Sequence, residues 1–234
     1  MFRDAITRFG LNRLHLQLRR AAGENVEHLF RATLAEKFAA IYNNRVWLNN
    51  RLSGSLSGLG SELVNTEGIR GGLPRTLAEL NTQTLLDLGC GDFLWMKETD
   101  LGCRYIGIDV VEEVISANVR LHGTDKRRFL TLDGTTQVLP KADTVLCREV
   151  LFHLSFLDIA KMLANIKRSH AVFLIATNDP GLRHNADILS GDFRLLNLHK
   201  APFCFPKPHM SFPDDRLSPG RTLSVWETCT LDVR

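Results

Sequence analysis

The sequence has few cysteines, and none of them stands in a spacing that binds metal. The five cysteines are odd in number and form no CxxC pair, so the sequence supports neither a disulfide framework nor a structural zinc site. Reduced thiols are typical of the cytoplasm, and we therefore expect a cytoplasmic protein. The cysteines are Cys90, Cys103, Cys147, Cys204 and Cys229.

Long apolar runs and a strong excess of charge are also lacking. No stretch reaches the roughly 18 apolar residues that a membrane-spanning helix needs, so we expect no transmembrane segment. The net charge is +3, of which the first 22 residues contribute +4 and the remainder −1. The body of the protein therefore lacks the basic stripe that nucleic-acid binding requires, and we expect no nucleic-acid partner.

The first 42 residues contain apolar positions at helical spacing, with a break at Gly23 and Asn25. This pattern predicts two helices. The first helix is basic and amphipathic, and we expect it to pack on the body or on a second copy in a homo-oligomer. Binding to a membrane surface is the alternative.

The stretch RLSGSLSGLGS (51–61) is rich in serine and glycine and predicts a mobile loop, either a linker or a lid. Ser61 is predicted to cap a helix that runs towards Gly71 and Gly72. The chain has 234 residues, 44% of them hydrophobic, which suffices for one large core. We therefore divide it into an N-terminal helical cap with a lid loop (1–60) and a main domain (61–234).

From residue 84 onwards, short apolar runs alternate with helical stretches. This order is typical of βαβ units, whose buried parallel strands open a ligand crevice at their carboxyl ends. A final strand is predicted within RTLSVWETCTL (221–231). The other predicted strands are 84–88, 104–109, 128–132, 143–147 and 171–176, and the predicted helices lie near 93–99, 111–121, 150–154 and 156–168.

The glycine-rich turn in TLLDLGCGDFLW (84–95) is not the phosphate-binding fingerprint GxGxxG. Leu94 stands where the third glycine is needed, and Asp92 places a carboxylate where a phosphate would lie. A dinucleotide is therefore disfavoured, and with it a nicotinamide-dependent dehydrogenase. A cofactor without phosphates and with a cationic centre fits better.

The segments LLDLGCGD (85–92) and YIGID (105–109) resemble the class I S-adenosylmethionine-dependent methyltransferases. The resemblance implies an α/β, Rossmann-like fold with a mostly parallel seven-stranded sheet flanked by helices, and S-adenosylmethionine as cofactor. Asp109 would accept both ribose hydroxyls, and Asp133, ending RRFLTLD, would take the adenine amino group unless it is only a turn residue. The implied cofactor-binding residues are Asp87, Gly89, Cys90, Gly91, Asp109, Val110, Asp133, Gly134 and Arg148.

Further segments are similar to one bacterial methyltransferase subgroup of about this length. Some of its members act on sugar hydroxyls, among them an O-methyltransferase of mycobacterial methylmannose polysaccharides, so the resemblance implies a sugar or glycoside as the small-molecule acceptor. Phe193 and Leu196 depart from the Trp and Pro common there, so acceptor identity is not inherited. The similar segments are SGSLSGLGS, LLDLGCGDFLWM, LCREVLFHLS, NADILSGDFRLLNL and APFCFP.

Catalysis of methyl transfer mainly requires alignment of the nucleophile and exclusion of water, and a hydroxyl acceptor must also lose its proton. His153, shortly after the fourth strand, is the candidate general base, or else a packing residue. Arg148 is a candidate for holding the cofactor carboxylate or a substrate oxygen, or forms an ion pair. Glu149 either assists His153 or complements a helix dipole.

Three alternatives remain open at the level of sequence. Glu149, Asn178 and Asp179 are candidate ligands for Mg²⁺, although TNDP (177–180) reverses the usual acid-then-amide order. N-methylation of an amine would need no base, and a cofactor-binding module would need no catalysis. Acceptor contacts are predicted from the loop residues His184, Asn185, Asp187, Asp192 and Phe193, and Trp47 is a candidate for closing over the cofactor.

Overall fold

A computed structural model describes residues 12–48 and 54–232. The predictions for the first eleven residues and for the start of the Ser/Gly stretch lie outside these ranges. Within them the chain forms one sheet of seven strands. The strands are β1 (Thr84–Leu88), β2 (Arg104–Asp109), β3 (Arg127–Thr131), β4 (Thr144–Cys147), β5 (Phe173–Asn178), β6 (Met210–Pro213) and β7 (Thr222–Glu227).

The strand order in the sheet is β3-β2-β1-β4-β5-β7-β6. Strands β1 to β5 are parallel, β7 is antiparallel to β5, and β6 is antiparallel to β7. In the register, Asp87 of β1 lies between Gly107 of β2 and Leu146 of β4. The prediction of a mostly parallel seven-stranded sheet is confirmed, including the final strand within residues 221–231.

Helices pack on both faces of the sheet. Thr33 begins α2 with a capping box, in which its hydroxyl accepts from the Glu36 N–H and Glu36 accepts from the Thr33 N–H. None of the helices in the described ranges is long and apolar enough to cross a membrane. They are α1 (Asn12–Ala21), α2 (Leu34–Asn43), α3 (Glu67–Glu79), α4 (Glu112–His122) and α5 (Phe156–Arg168).

Two predicted helices, near 93–99 and 150–154, are wrong. The chain forms only short 3₁₀ turns there, at Met96–Glu98 and Leu151–His153. Phe93 and Glu149 have positive φ, 58° and 56°, and a left-handed residue of this kind cannot lie inside an α-helix. Both turns therefore begin after a sharp reversal of the backbone.

The predicted cap at Ser61 is also wrong. Ser61 ends a 3₁₀ turn (Leu59–Ser61), and α3 begins only after Thr66. Between them the chain makes a further turn, in which the Asn65 side-chain amide donates to the Leu59 carbonyl (2.8 Å). Because this turn satisfies the backbone around residue 61, the helix starts five residues later than predicted.

The core lies on both faces of the sheet, because neighbouring residues of a strand point to opposite sides. On one face Leu86 and Leu88 of β1 pack in a cluster with α5. On the other face Leu85 packs in a cluster with α3. The sheet is therefore covered by helices on both sides, which leaves its carboxyl edge as the place for a crevice.

We expect Trp226→Ala in β7 to destabilise the fold by about 3–5 kcal/mol, because it removes a large buried side chain. Trp226 is 1% exposed, packs on Phe205, and donates its indole N–H to the Pro206 carbonyl (2.9 Å). Urea unfolding measures the change. Val138→Ala, at a position 89% exposed, is the control and should stay within about 0.5 kcal/mol. Equal stability of both variants would contradict this assignment of the core.

Candidate functional site

A cavity opens at the carboxyl ends of β1, β2 and β4, where the strand order reverses direction. This switch point is where open α/β sheets bind ligands. The cavity brings together all nine residues predicted to bind the cofactor, as well as Glu149 and His153. The N-terminal region contributes a second wall, made of Leu34, Phe38, Tyr42, Trp47, Ser57 and Ser61.

The glycine loop after β1 exposes bare backbone to the cavity. Gly89 and Gly91 have positive φ, 70° and 56°, which favours glycine. A Cβ on Gly89 would lie 2.6 Å from Val150 Cγ2, and a Cβ on Gly91 would collide with Ser57 Oγ. A side chain at either position would therefore collide with Val150 or Ser57, which pack directly on the loop.

Asp109, at the end of β2, is held by the backbone on both sides. One carboxylate oxygen accepts from the Gly91 N–H (3.2 Å) and the other from the Val111 N–H (3.1 Å). Burial raises its pKa to about 6, although these backbone bonds act in the opposite direction. Each oxygen keeps a second lone pair, so the carboxylate can accept two vicinal hydroxyls, such as those of a ribose.

Asp87, near the end of β1, accepts a hydrogen bond from the Tyr105 hydroxyl (2.6 Å). Burial raises the pKa of Asp87 to about 7, against the lowering effects of the Tyr105 bond and of nearby Arg148. Two buried carboxyls, Asp87 and Asp109, thus line one wall of the cavity. A cationic ligand would stabilise their ionised forms.

Asp133 lines the cavity but does not end a strand. Strand β3 stops at Thr131, and one oxygen of Asp133 accepts from both the N–H (2.8 Å) and the hydroxyl (2.6 Å) of Thr135. Asp133 therefore acts as a turn residue and at the same time faces the cavity. The two interpretations of this residue are compatible.

Arg148 forms a buried ion pair rather than standing alone in the cavity. Its Nε and Nη2 donate to the two carboxylate oxygens of Asp214 (3.0 and 3.1 Å), and its guanidinium lies over the Trp95 ring. Nη1 is 3.8 Å from a Glu149 oxygen, which is longer than a hydrogen bond. Arg148 can therefore still donate Nη1 to a ligand carboxylate, with its orientation fixed by Asp214.

The metal hypothesis for Glu149, Asn178 and Asp179 does not fit the donor set. Arg221 donates Nη1 to Glu149 (2.9 Å) and Nε to Asp179 (3.0 Å). The Asn178 side-chain oxygen accepts from the Leu198 N–H (2.7 Å). Across residues 12–48 and 54–232, no group of three or more His, Cys, Asp or Glu side chains could hold a metal ion. A guanidinium thus stands where Mg²⁺ was expected, and the Glu149 carboxylate binds Arg221.

His153 lies on the turn that follows β4. Its Nδ1 is 2.9 Å from the Asp192 carbonyl oxygen, and because a carbonyl only accepts, Nδ1 must carry the proton and leave the lone pair on Nε2. Burial lowers the pKa of His153 to about 4, so the ring is neutral at pH 7. Trp47 packs against the ring, with centroids 5.1 Å apart.

The Ser/Gly segment is joined directly to the glycine loop. The Asp92 carboxylate accepts from the Ser55 hydroxyl (2.9 Å) and the Leu56 N–H (2.6 Å), and the Asp92 N–H donates to Ser57 Oγ (2.9 Å). Tyr42 shares a hydrogen bond with the Ser57 hydroxyl (2.9 Å). The Asp92 carboxylate was predicted to lie where the phosphate of a dinucleotide would bind. That placement is wrong, because the carboxylate binds the Ser/Gly segment instead.

The loop after β5 differs from the acceptor-binding surface predicted for it. Asn185 donates to the Asn197, Lys200 and Ala201 carbonyls, and Asp187 accepts from the Phe156 N–H, so both side chains stabilise the loop itself. Phe193 is 47% exposed, and its ring centroid lies 5.7 Å from that of His153. Phe193 therefore remains placed to contact an acceptor.

Sequence reasoning missed Asp214, Arg221, Tyr42 and Ser57. Asp214 and Arg221 lie 66 and 72 residues beyond their partners Arg148 and Glu149, outside any motif. They reach Arg148 and Glu149 because the antiparallel pair β6 and β7 folds back beside β5. For Tyr42 and Ser57, the sequence offered one indication, which was that they lie close to or within the Ser/Gly stretch (51–61).

Comparisons with known proteins agree with this geometry. Residues 86–171 match a family described as a methyltransferase domain. No curated protein matches the chain.

Among solved structures, the chain is similar to the magnesium protoporphyrin IX methyltransferase ChlM of Synechocystis PCC 6803 with bound S-adenosylmethionine. The TM-score is 0.54 at 14% identity, over 84% of this chain and 97% of that one. It is also similar to the N-methyltransferase NodS of Bradyrhizobium japonicum WM9. The TM-score there is 0.52 at 16% identity, over 70% and 96%. At these identities the likeness concerns the fold.

The fold is that of the class I methyltransferases, and residues 86–171 match a methyltransferase domain. Its methyl donor is S-adenosylmethionine, and the cavity fits this molecule. Gly89 and Gly91 present backbone without side chains to the cavity, and the buried carboxyls of Asp87 and Asp109 suit a ligand that carries a sulfonium and an ammonium group.

We expect binding of S-adenosylmethionine to strengthen as the pH rises from 5 to 8. The pKa values of Asp109 and Asp87 are raised to about 6 and about 7, and the cationic cofactor favours their ionised forms. Affinity should fall by up to about tenfold per pH unit below each pKa. Calorimetric titration at several pH values measures this dependence.

Tyr105→Phe is the matched variant for this titration. It removes the hydroxyl that stabilises the Asp87 carboxylate, so the pH dependence should move to higher pH. An affinity that does not change between pH 5 and 8 would show that neither carboxyl faces the bound cation.

Proposed function

We propose that the protein transfers a methyl group from S-adenosylmethionine to a hydroxyl of a small molecule, a sugar or glycoside, with His153 as general base. One observation carries this proposal. The Asp192 carbonyl fixes the proton of His153 on Nδ1, and this ring lines the same cavity as the cofactor-binding residues. The Nε2 lone pair is then available to a hydroxyl proton.

The chemistry requires little beyond alignment and removal of one proton. When bound, S-adenosylmethionine supplies an electrophilic methyl group on its sulfonium. His153 would take the hydroxyl proton on Nε2 while the acceptor oxygen gains the methyl group, the carbon–sulfur bond breaks and S-adenosylhomocysteine leaves. Trp47 and Phe193, whose rings both lie near that of His153, would exclude water and hold the acceptor in line.

The proposed acceptor class rests on the aromatic surroundings of His153. The rings of Trp47 and Phe193 have centroids 5.1 and 5.7 Å from that of His153. Flat aromatic faces bind the C–H side of a sugar ring while its hydroxyls remain available for hydrogen bonds. Similarity to the sugar-methylating subgroup in segments such as LCREVLFHLS supports the same class.

We further propose that residues 1–60 form a cap and lid on the methyltransferase domain (61–234). Support comes from the described part of this region, where Tyr42, Trp47 and Ser57 line the cavity. Ser55 and Leu56 are tied to Asp92 of the glycine loop. Release of the cofactor product would then require these contacts to open.

N-methylation of an amine is the second candidate. The low pKa of His153, about 4, makes it a weak base, and an amine acceptor needs none because its lone pair is available. A panel of glycosides and amines, incubated with methyl-labelled cofactor and analysed by mass spectrometry, separates the two activities. Binding of cofactor without transfer to any acceptor would instead indicate a non-catalytic module.

We expect His153→Gln to retain cofactor binding but to lower turnover of a hydroxyl acceptor about 100-fold or more, because the base is removed. Asp109→Ala should abolish cofactor binding, because it removes the carboxylate that holds the glycine loop and the ribose. Calorimetry with S-adenosylhomocysteine and steady-state assays measure the two effects. Normal turnover by His153→Gln would remove His153 from the mechanism and favour an amine acceptor.

Asp92→Ala should speed release of S-adenosylhomocysteine by about ten- to hundredfold, because two charge-assisted bonds to the lid are lost. Stopped-flow displacement followed by tryptophan fluorescence measures the release rate. Asp100→Ala removes a carboxylate that caps only its own exposed turn at Gly102 and serves as the control. Equal release rates in all three proteins would refute the lid assignment.

A further inference from the structure

We propose that Arg19, on helix α1, is a positioning residue that fixes the tautomer of His153 through the backbone of Gly191 and Asp192. This inference rests on the proposed function, because it concerns the base in that mechanism. It assigns helix α1, whose described side chains do not line the cavity, a role in proton transfer.

The first step is a nearly buried ion pair between α1 and the loop after β5. Arg19 Nη1 donates to one carboxylate oxygen of Asp192 at 2.7 Å and Nη2 to the other at 3.4 Å. The two side chains are only 15% and 17% exposed. A two-point contact between a guanidinium and a carboxylate fixes orientation as well as distance, so Arg19 determines how residue 192 is held.

The second step joins the same loop to His153. The Asp192 carbonyl accepts from Nδ1 of His153 (2.9 Å), and the Gly191 N–H donates to the His153 carbonyl (2.8 Å). The loop therefore forms hydrogen bonds with both the ring and the backbone of His153. Any rotation of the peptide after Asp192 would move the acceptor away from Nδ1.

A second N-terminal residue holds the loop from the other side. His28 lies with Nε2 at 3.1 Å from the Gly191 carbonyl. Gly191 has φ 99°, and a Cβ there would come within 3.3 Å of Leu29 and 3.4 Å of His28. Gly191 therefore permits close packing of the N-terminal segment on the loop.

The turn that carries His153 is fixed independently of α1. Arg194 donates to the Leu151, Leu154 and Ala186 carbonyls, so the backbone around His153 should survive loss of Arg19. What changes is the position of the Asp192 carbonyl. Without it, the tautomer with the proton on Nε2 becomes populated, and that tautomer presents a donor where the mechanism requires a lone pair.

Three charged groups act on the His153 ring. Glu149 on the strand side and Asp192 in the loop favour protonation, and Arg194 opposes it. In the wild type, Arg19 neutralises Asp192 through their ion pair. Removing Arg19 unmasks the Asp192 charge, which raises the pKa of His153, but it also loosens the Asp192 carbonyl bond, whose loss lowers that pKa. Because the two effects oppose each other, the tautomer ratio of His153 is the readout of the coupling.

The test is ¹⁵N NMR of the full chain labelled at histidine, which distinguishes the two tautomers by the shifts of the ring nitrogens. His153→Gln assigns the signal. In the wild type we expect a protonated Nδ1 and an unprotonated Nε2. In Arg19→Met we expect averaged shifts, with about tenfold lower kcat and unchanged affinity for S-adenosylhomocysteine.

Arg20→Met is the matched control, because Arg20 lies next in the same helix and pairs with Glu27 at the exposed surface. It should leave the His153 signal unchanged. Arg19→Lys keeps the charge but not the two-point contact, and should restore part of the wild-type signal. A His153 signal in Arg19→Met identical to that of the wild type would overturn the inference.

Two further outcomes separate this inference from its premises. If Arg19→Met fails to fold, Asp192→Asn replaces it, since it weakens the same ion pair while keeping the side chain's size, and the same shift of the His153 signal is expected. If His153→Gln turns over normally, the proposed base is wrong, but the NMR result still decides whether Arg19 controls the tautomer. Wild-type shifts in both substituted proteins would refute the coupling.

Discussion

The Asp109 carboxylate is the constraint on which the site depends. It closes the gap between two neighbouring strands by accepting from the Gly91 and Val111 N–H groups, and so it sets the path of the glycine loop. A buried carboxylate that accepts two backbone bonds is stable only while both donors stay in place. The cavity therefore depends on the strand order, because Asp109 can reach the glycine loop after β1 only when β2 lies directly beside β1 in the sheet.

A second set of buried charges ties the far side of the cavity to the end of the chain. Arg148 pairs with Asp214, and Arg221 bridges Glu149 and Asp179. Removing one partner of such a buried pair lowers the stability of the fold by about 3–5 kcal/mol, because the other charge stays buried without compensation. These pairs explain why residues that look available for metal or substrate chemistry instead hold the antiparallel strands against the parallel part of the sheet.

The N-terminal region reaches the site at two separate places. Ser55 and Leu56 bind Asp92 in the glycine loop, whereas Arg19 binds the loop that holds His153. One segment thus contacts both the cofactor side and the proposed acceptor side. The described part of the N-terminal region forms no strand of the sheet. Side-chain contacts of this kind therefore decide where the region lies.

The sequence by itself determined the parallel sheet, the positions of its first five strands along the chain and the residues at the ends of the first two, because strand periodicity and glycine turns are local properties. It also placed Asp87, Gly89 and Asp109 in one site, since parallel strands end at one edge. Only the tertiary structure decided which carboxylates were already paired. Arg221 meets Glu149 72 residues away, and no local pattern records a contact that depends on how two distant strands are packed.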